Sequence, residues 1–336
     1  MSKPVVAIVG ATGAVGVEFL NLLARRRFPI GALKLLASPR SAGKTMEVKG
    51  ETVTVEALTD RSFDGIDIAL FSAGSGISRD FAPKAVAAGA VVVDNSSAFR
   101  MDPLVPLVVP EINPQMIATH RGIIANPNCT AIISMTPLWP IHRRNRLRRV
   151  IASAYQAASG AGAAAMAELI DATRADLDGR PYQQSVMPHP YAFNLFSHNT
   201  KVDPVTGYNE EETKVRNETH KIFGDPEIRI SATCIRVPVL RAHSVAVTAE
   251  FQAPITPEAV RDILGSAQGV RVVDDRARNY FPMPKDASGQ DDILVGRIRQ
   301  DMSDPSGRSI ALFVAGDQLL KGAALNAVQI AEYLVK

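Results

Sequence analysis

The sequence has 336 residues, more than one ordinary hydrophobic core accommodates, so its length predicts two domains. Hydrophobic residues make up 46% and charged residues 21%, which is typical of a globular protein, and no apolar run reaches the roughly 18 residues of a transmembrane helix. Two cysteines do not form a disulfide framework, which favours a reducing, cytoplasmic setting, and a net charge of +3 gives little reason to expect a nucleic-acid partner.

The first predicted strand, over residues 4–9, is a continuous apolar run of the kind buried in a parallel sheet. It leads into Gly10-Ala11-Thr12-Gly13-Ala14-Val15-Gly16, and leucines at helical spacing follow. A strand, a glycine loop and a helix in this order can present backbone N–H groups to a pyrophosphate. The G-x-x-G-x-x-G spacing differs from the commonest dinucleotide fingerprint, so a tight strand–helix turn is the alternative.

The loop after the second predicted strand (32–37) indicates which dinucleotide would bind. An NAD-selective site usually has an acidic residue here for the ribose hydroxyl, whereas this loop offers Ser38, Arg40 and Ser41. Arginine can bind the 2′-phosphate of NADP through two donors. The sequence therefore favours NADP, and the alternative is a solvated basic loop.

Further strands at 66–71 and 90–93, with a helix at 78–88 between them, predict a doubly wound parallel sheet. Loops gather at the carboxyl ends of such strands, where ligands bind. The polar loop over 94–100 carries Arg100, which suits an anion, although a plain surface loop fits equally well.

The strongest candidate nucleophile is Cys129. An apolar run ends in the turn sequence Asn126-Pro127-Asn128, and a helix-compatible stretch follows, so Cys129 is predicted at a helix N-terminus. Unpaired N–H groups and the helix dipole there favour the nucleophilic thiolate. The alternative is a small buried hydrophobic residue, which is the commoner role of an intracellular cysteine.

The second half of the chain contains polar candidates beside predicted strands and helices. Gln156 follows a strand predicted over 150–155. A helix predicted over 210–223 places Glu211 and Lys214 on one face, where they are either a surface ion pair or a pair of ligand-binding groups. Arg236 could bind a carboxylate bidentately, and His243 could give and take a proton, although either could be structural.

Four other stretches carry no ligand-binding signal of their own. The basic run at 141–149 lies between a helix and a strand and is interpreted as a solvated connector rather than a nucleic-acid site. Strands are predicted at 270–274 and 310–314, and a final helix within 316–336 is expected to return to the first domain. No metal-binding motif occurs among the six histidines.

Together these motifs resemble aspartate-β-semialdehyde dehydrogenase over nearly the whole chain. Each motif is modest, but the ordered set is specific. The motifs lie at residues 10–16, 94–100, 126–130, 156–162, 211–214, 236–244 and 321–326.

The resemblance implies an α/β protein with an N-terminal Rossmann-like doubly wound parallel sheet and a second α+β domain for catalysis and dimerisation. It implies an NADP-binding domain at 1–128 plus 316–336, a catalytic and dimerisation domain at 129–315, and a homodimer. No nucleic acid, membrane or metal is expected.

The resemblance also implies site roles. Cys129 becomes the nucleophile, His243 the acid/base and Gln156 the amide that positions the acyl group. Substrate binding would use Arg236 for the carboxylate, Glu211 for the amine, and Arg100 and Lys214 for phosphate. The cofactor residues would be Gly10, Ala11, Thr12, Gly13, Ala14, Val15, Gly16, Ser38, Arg40, Ser41, Ser72, Ala73, Gly74, Ser159, Gly160 and Asn326.

The activity implied is NADPH-dependent reductive dephosphorylation of L-aspartyl-4-phosphate to L-aspartate 4-semialdehyde through a cysteine thioester, in lysine, diaminopimelate, threonine and methionine biosynthesis. One alternative is an acyl-phosphate reductase of the N-acetylglutamyl-phosphate type, whose motif is typically Asn-Pro-Gly-Cys. Another is a non-catalytic dinucleotide sensor, which needs neither Cys129 nor His243. Three positions depart from the usual family pattern: Ala131, Gln318 and Leu320.

Overall fold

The computed structural model describes residues 3–48 and 50–335. The chain divides into two compact units. The first comprises Met1–Asn128 and Ala323–Lys336, and the second comprises Cys129–Gly322.

The first unit is built on a seven-stranded sheet. In chain order its elements are β1 (Val5–Val9), α1 (Ala14–Arg25), β2 (Ala32–Ala37), β3 (Thr45–Val48), β4 (Glu51–Ala57), β5 (Ile68–Phe71), α2 (Ser75–Ala87), β6 (Val91–Asp94) and β7 (Ile123–Ala125). The strand order is β3-β4-β2-β1-β5-β6-β7, and all neighbours are parallel except β3 and β4. The predicted doubly wound parallel sheet is confirmed.

Two features of this sheet differ from expectation. The β3–β4 hairpin was not predicted, because its strands are largely exposed and lack a continuous apolar run. The helix predicted over 78–88 begins earlier, at Ser75. Gly74, whose φ is +88°, turns the chain out of β5 in a conformation that favours glycine.

The second unit contains a mixed seven-stranded sheet. Its elements are α3 (Cys129–Met135), α4 (Leu138–His142), β8 (Leu147–Gln156), α5 (Ala163–Leu177), β9 (Phe196–Ser197), α6 (Glu210–Phe223), β10 (Arg229–Arg236), β11 (His243–Phe251), α7 (Pro257–Gly265), β12 (Val270–Val272), α8 (Pro284–Ala287), β13 (Ile293–Gln300) and β14 (Ser309–Gly316). The strand order is β12-β13-β14-β11-β8-β10-β9. α3 packs against β11, β14 and α6, and α6 packs against β10.

Local capping explains why α6 matches its predicted bounds. The side chain of Asn209 accepts from the backbone N–H of Glu212, and the Glu212 carboxylate accepts from the N–H of Asn209. Gly224, at φ +65°, ends the helix in the left-handed conformation. Glu212 also accepts from the backbone N–H of Cys234, which fixes the start of α6 beside β10.

The chain leaves the second unit later than the sequence suggested. The expected return began at residue 316, whereas residues up to Gly322 belong to the second unit. Asp317 is fully buried and accepts from Arg241 Nε at 2.7 Å, which keeps this segment in the second unit. A π-helical turn (Leu320–Ala324) then leads into α9 (Leu325–Leu334), which packs against α1 and β6 of the first unit.

Among the described residues, none of the helices has the length and apolar character needed to cross a bilayer.

Candidate active site

The glycine loop of the first unit lies between β1 and α1, as predicted. A Cβ on Gly10, whose φ is +87°, would lie 2.4 Å from the carbonyl oxygen of Ser72. A Cβ on Gly16 would lie 2.3 Å from the oxygen of Gly10. Both glycines therefore let the loop, the first turn of α1 and the end of β5 approach one another closely.

The predicted NADP loop lies beside the glycine loop. Thr12 Oγ1 lies 3.4 Å from Ser41 Oγ, so the two loops meet at their hydroxyl groups. Ser38 and Arg40 are exposed, which leaves both side chains accessible to a ligand.

Polar groups also line the carboxyl ends of β5 and β6. Asn95 donates through Nδ2 to the carbonyl of Phe71 at 3.2 Å, and its buried Oδ1 has no partner among the described residues. Arg100 is buried and donates to the carbonyl oxygens of Asn126 at 2.9 Å and Asn95 at 2.7 Å. Arg100 therefore braces this loop, a position that the sequence alone did not indicate.

Asn326 of α9 is completely buried in the first unit. Its Nδ2 donates to the carbonyl of Val108 at 2.9 Å and to Oδ1 of Asn126 at 2.7 Å. These bonds tie α9 to the turn that precedes Cys129. The expected cofactor contact of Asn326 stays a prediction.

Cys129 is the first residue of α3, as predicted, and it is partly exposed. Neither cysteine forms a disulfide. Cys234 is buried in β10, where burial raises the pKa of its thiol strongly. The two cysteines therefore differ, with one partly exposed at a helix start and one in the core.

An amide links the start of α3 to α6. Gln156, the last residue of β8, donates through Nε2 to Thr130 Oγ1 at 2.6 Å and to Glu211 Oε1 at 3.2 Å. Glu211 is buried and lies 3.6 Å from Lys214 Nζ. The structure thus brings Gln156, Glu211 and Lys214 together beside the residue that follows Cys129.

His243 begins β11 and is almost completely buried. Its Nδ1 accepts a hydrogen bond from the backbone N–H of Ala157 at 3.0 Å. The neutral ring must therefore carry its proton on Nε2. No other described residue hydrogen-bonds to Nε2, so the Nε2–H group can donate to a substrate.

Ala242 precedes His243 in a strained backbone conformation. Its φ is +72°, a left-handed value that alanine rarely adopts. Its N–H donates to Gln318 Oε1 at 2.9 Å, and Gln318 Nε2 hydrogen-bonds to Ser159 Oγ. Gln318 therefore holds the turn before His243 and the predicted cofactor residue Ser159 to one another.

Arg236, the last residue of β10, is buried. Burial lowers its pKa, while nearby Tyr191, Glu211 and Cys129 oppose that shift. Its guanidinium donates to Asn199 Oδ1 at 3.3 Å, the carbonyl of Ala157 at 3.2 Å and His198 Nε2 at 2.8 Å.

Gly160 shows that Arg236 and His243 share one site. A Cβ on Gly160 would lie 3.0 Å from His243 Nε2 and 3.1 Å from Arg236 Nη1. A side chain at this position would therefore crowd both groups. Gly160 was predicted to bind cofactor, and that role stays a prediction.

The chain is similar over its whole length to proteins of one known family. Residues 5–120 match the family model described as "Semialdehyde dehydrogenase, NAD binding domain". Residues 138–321 match the one described as "Semialdehyde dehydrogenase, dimerisation domain". The chain is 55% identical to aspartate-semialdehyde dehydrogenase of Synechocystis sp., over 100% of this chain and 99% of that protein. The chain belongs to the aspartate-semialdehyde dehydrogenase family. The predicted resemblance is confirmed.

Other family members agree in sequence and in structure. Aspartate-semialdehyde dehydrogenase of Bacillus subtilis is 45% identical over 98% of this chain and 97% of its own length. The crystal structure of aspartate semialdehyde dehydrogenase II from Vibrio cholerae complexed with ASA has a TM-score of 0.96 and 44% identity, covering 100% of this chain and 99% of that chain.

Sequence analysis assigned no role to three residues that contact the candidate site residues. Gly322 lies in a recognised motif but received no role, and Gln318 was noted only as a departure from the family pattern. His198 lies in a segment without periodicity, where a lone histidine gives no local signal. Their partners lie far away in the chain, so spacing alone could not have identified them.

Gly322 packs closely against Cys129. A Cβ on Gly322 would lie 2.9 Å from Cys129 Cβ, so Gly322→Ala is expected to displace Cys129. We expect kcat to fall about 10- to 100-fold, because displacements of about 1 Å can cost that much. Steady-state kinetics and thermal melting measure the effect.

Gly265→Ala is the matched control for that variant, because a Cβ on Gly265 would meet nothing within 4 Å. It should retain wild-type kcat. Unchanged kcat in Gly322→Ala would contradict the steric role.

Both buried histidines of the site are expected to stay neutral at neutral pH. Burial and the Arg236 guanidinium lower the pKa of His243 to about 3 and the pKa of His198 to about 4. Ring ¹⁵N chemical shifts of both should therefore stay constant between about pH 8 and pH 5. A titration midpoint near the usual pKa of about 6.5 would contradict this.

The same shifts predict how stability depends on pH. Each folded-state pKa is below the unfolded value of about 6.5, so protons bind preferentially to the unfolded chain. The free energy of unfolding should therefore fall as the pH decreases below about 6.5. Urea denaturation at a series of pH values measures this slope.

Proposed function

We propose that the chain catalyses the NADPH-dependent reductive dephosphorylation of L-aspartyl-4-phosphate to L-aspartate 4-semialdehyde, and the reverse reaction. The observation that carries this proposal is the pairing of Arg236 with His243 around Gly160, in the unit that begins with Cys129. A carboxylate-binding guanidinium and a proton-carrying ring thereby lie at one place. The full-length similarity to aspartate-semialdehyde dehydrogenases supports the choice of substrate.

Recognition of the substrate is assigned to buried charged groups. Arg236 binds the α-carboxylate through paired N–H groups, and Glu211 binds the free α-amine. Lys214, which lies beside Glu211, contributes positive charge for the phosphate. A buried carboxylate suits a free amine better than an N-acetylated one, which favours this reaction over the N-acetylglutamyl-phosphate type.

The chemical steps begin at sulfur. Cys129 thiolate attacks the acyl carbon, phosphate leaves with the bonding electron pair, and a thioester forms. Gln156 positions the acyl group from the end of β8. The Nε2–H group of His243 donates to the oxygen that becomes negative in each tetrahedral state.

A nicotinamide cofactor held by the glycine loop would supply the hydride that reduces the thioester carbon. His243 stabilises the resulting oxyanion, the carbon–sulfur bond breaks, and thiolate is restored as the aldehyde leaves. The reaction consumes one proton overall, and His243 is positioned to relay it. The thiol must remain reduced, so the proposed location is the cytoplasm.

The first unit fits a nicotinamide dinucleotide. Its glycine loop at the start of α1 suits a pyrophosphate, and the unpartnered Oδ1 of Asn95 can accept from a ligand at the adjacent strand end. Ser38, Arg40 and Ser41 suit the 2′-phosphate, and this supports NADP over NAD. Ser72, Ala73, Gly74, Ser159, Gly160 and Asn326 are the further proposed cofactor contacts.

We expect Arg40→Ala to raise the KM for NADP about tenfold or more while leaving the KM for NAD unchanged, because hydrogen bonds to a charged group contribute about 1.5–3 kcal/mol. Initial rates with each cofactor measure the effect. Arg61→Ala, at a basic residue that is also exposed, is the control. Equal effects on both cofactors would contradict a 2′-phosphate contact.

A homodimer is proposed from the second unit. That unit matches the dimerisation domain, and β8 exposes Ile151 and Tyr155 on one face of the sheet. Analytical ultracentrifugation should give twice the mass of one chain.

Phosphate-dependent reduction of NADP with L-aspartate 4-semialdehyde tests the proposed activity. We expect activity with this aldehyde and far less with N-acetylglutamate 5-semialdehyde. Absence of phosphate-dependent turnover, or preference for the acetylated aldehyde, would contradict the proposal.

A further inference from the structure

A second buried histidine contacts Arg236. His198 follows β9, and its backbone N–H donates to the carbonyl of Cys234 at 3.0 Å, which fixes it beside β10. The ring is largely buried. Its Nε2 lies 2.8 Å from Arg236 Nη2, and its Nδ1 lies 3.1 Å from Thr200 Oγ1.

These contacts determine the tautomer of His198. A guanidinium nitrogen can only donate, so Nε2 must accept from Arg236. The ring proton therefore lies on Nδ1 and is donated to Thr200 Oγ1. Thr200 Oγ1 also accepts from the backbone N–H of Glu211 at 3.3 Å, so this chain of bonds reaches the start of α6.

The hydrogen-bond partners of Arg236 among the described residues are all uncharged. They are the amide oxygen of Asn199, the carbonyl oxygen of Ala157 and the imidazole nitrogen of His198. The guanidinium is thus oriented through neutral acceptors, and none of the carboxylates within residues 3–48 and 50–335 forms an ion pair with it. A carboxylate at position 198 would make a charge-assisted bond to Arg236 and compete with a substrate carboxylate.

We propose that His198 is a positioning residue, a neutral acceptor that orients the Arg236 guanidinium toward the substrate α-carboxylate while leaving its positive charge available. This inference rests on the proposed function, which assigns the α-carboxylate to Arg236. It predicts that position 198 requires an acceptor without negative charge.

The test uses two substitutions of nearly equal shape. In His198→Gln an amide oxygen replaces Nε2 as a neutral acceptor. In His198→Glu a negatively charged carboxylate oxygen takes the same position. We expect the KM for L-aspartate 4-semialdehyde to stay within about threefold in the Gln variant and to rise about tenfold or more in the Glu variant. Values of kcat, and the KM for NADP and for phosphate, should change little in both.

A substrate without the carboxylate separates positioning from general damage. The kcat/KM for 3-aminopropanal should be the same in wild type, His198→Gln and His198→Glu, because this aldehyde does not need Arg236. His189→Ala removes an exposed histidine that lies near His198 in the sequence, and it should leave kcat and every KM unchanged. Thermal melting of each variant checks that it is folded.

Two outcomes would overturn the inference. One is an equal KM for L-aspartate 4-semialdehyde in the Gln and Glu variants. The other is a fall in kcat/KM in His198→Glu that is equally large for L-aspartate 4-semialdehyde and for 3-aminopropanal. Arg236→Ala distinguishes this failure from failure of the proposed function. If Arg236→Ala raises that KM but His198→Glu does not, only the role of His198 is wrong, whereas an unchanged KM in Arg236→Ala removes the assignment of Arg236 itself.

Discussion

Replacing Cys129 by serine is expected to abolish turnover while leaving NADPH binding unchanged. A serine hydroxyl is a weak nucleophile unless a strong base removes its proton. Nδ1 of His243 already accepts from Ala157 and its Nε2 carries hydrogen, so the ring is arranged to donate rather than to activate a hydroxyl. We expect kcat to fall at least about 10³-fold, measured by phosphate-dependent NADP reduction, with NADPH affinity measured by fluorescence titration.

Cys234→Ser is the control for the chemistry of sulfur in this chain. Cys234 is buried in β10, so its substitution should lower the free energy of unfolding while leaving kcat close to the wild-type value. Mass spectrometry should detect an acyl adduct on Cys129 in the wild type and none in Cys129→Ser. Robust activity of Cys129→Ser would eliminate the covalent mechanism.

The second large effect is expected at His243. Asparagine can keep the hydrogen bond from the Ala157 N–H but lacks a group at the Nε2 position, whereas glutamine can place an N–H near Nε2. Neither amide transfers a proton at neutral pH. We expect both His243→Asn and His243→Gln to reduce kcat about 10²- to 10⁴-fold with little change in NADPH binding.

Comparison of these two variants shows which property of the ring matters. Equal losses of kcat in the two variants support proton transfer through Nε2. A kcat within about tenfold of wild type in His243→Gln alone would show that hydrogen-bond donation is sufficient. Wild-type kcat in His243→Asn would contradict any role of Nε2. His189→Asn, at an exposed histidine, should behave as wild type.

The elements that the sequence predicted well are those with local causes. β1, the glycine loop and α1 follow one another directly, and α6 is bounded by its capping box and by Gly224. Cys129 was placed at a helix start because the turn Asn126-Pro127-Asn128 precedes it. In each case the residues that determine the structure lie within a few positions of one another.

Prediction was poorer where pairing across the sheet decides the structure. β13 was not predicted, although its side chains are mostly buried and it pairs with both β12 and β14. The chain returns to the first unit only after Gly322 because Asp317 binds Arg241, a partner distant in the sequence. Such pairing depends on residues that no local window contains.

By itself the sequence determined the doubly wound sheet, the glycine loop, the nucleophile candidate and the family, since these depend on local order and on the full set of motifs. The tertiary structure alone decided which ring nitrogen of His243 carries hydrogen, that Gly160 adjoins His243 and Arg236 while Gly322 adjoins Cys129, and that His198 hydrogen-bonds to Arg236. Those features arise from contacts between distant residues, and the position of a proton on a buried ring depends on the donors and acceptors that folding places around it.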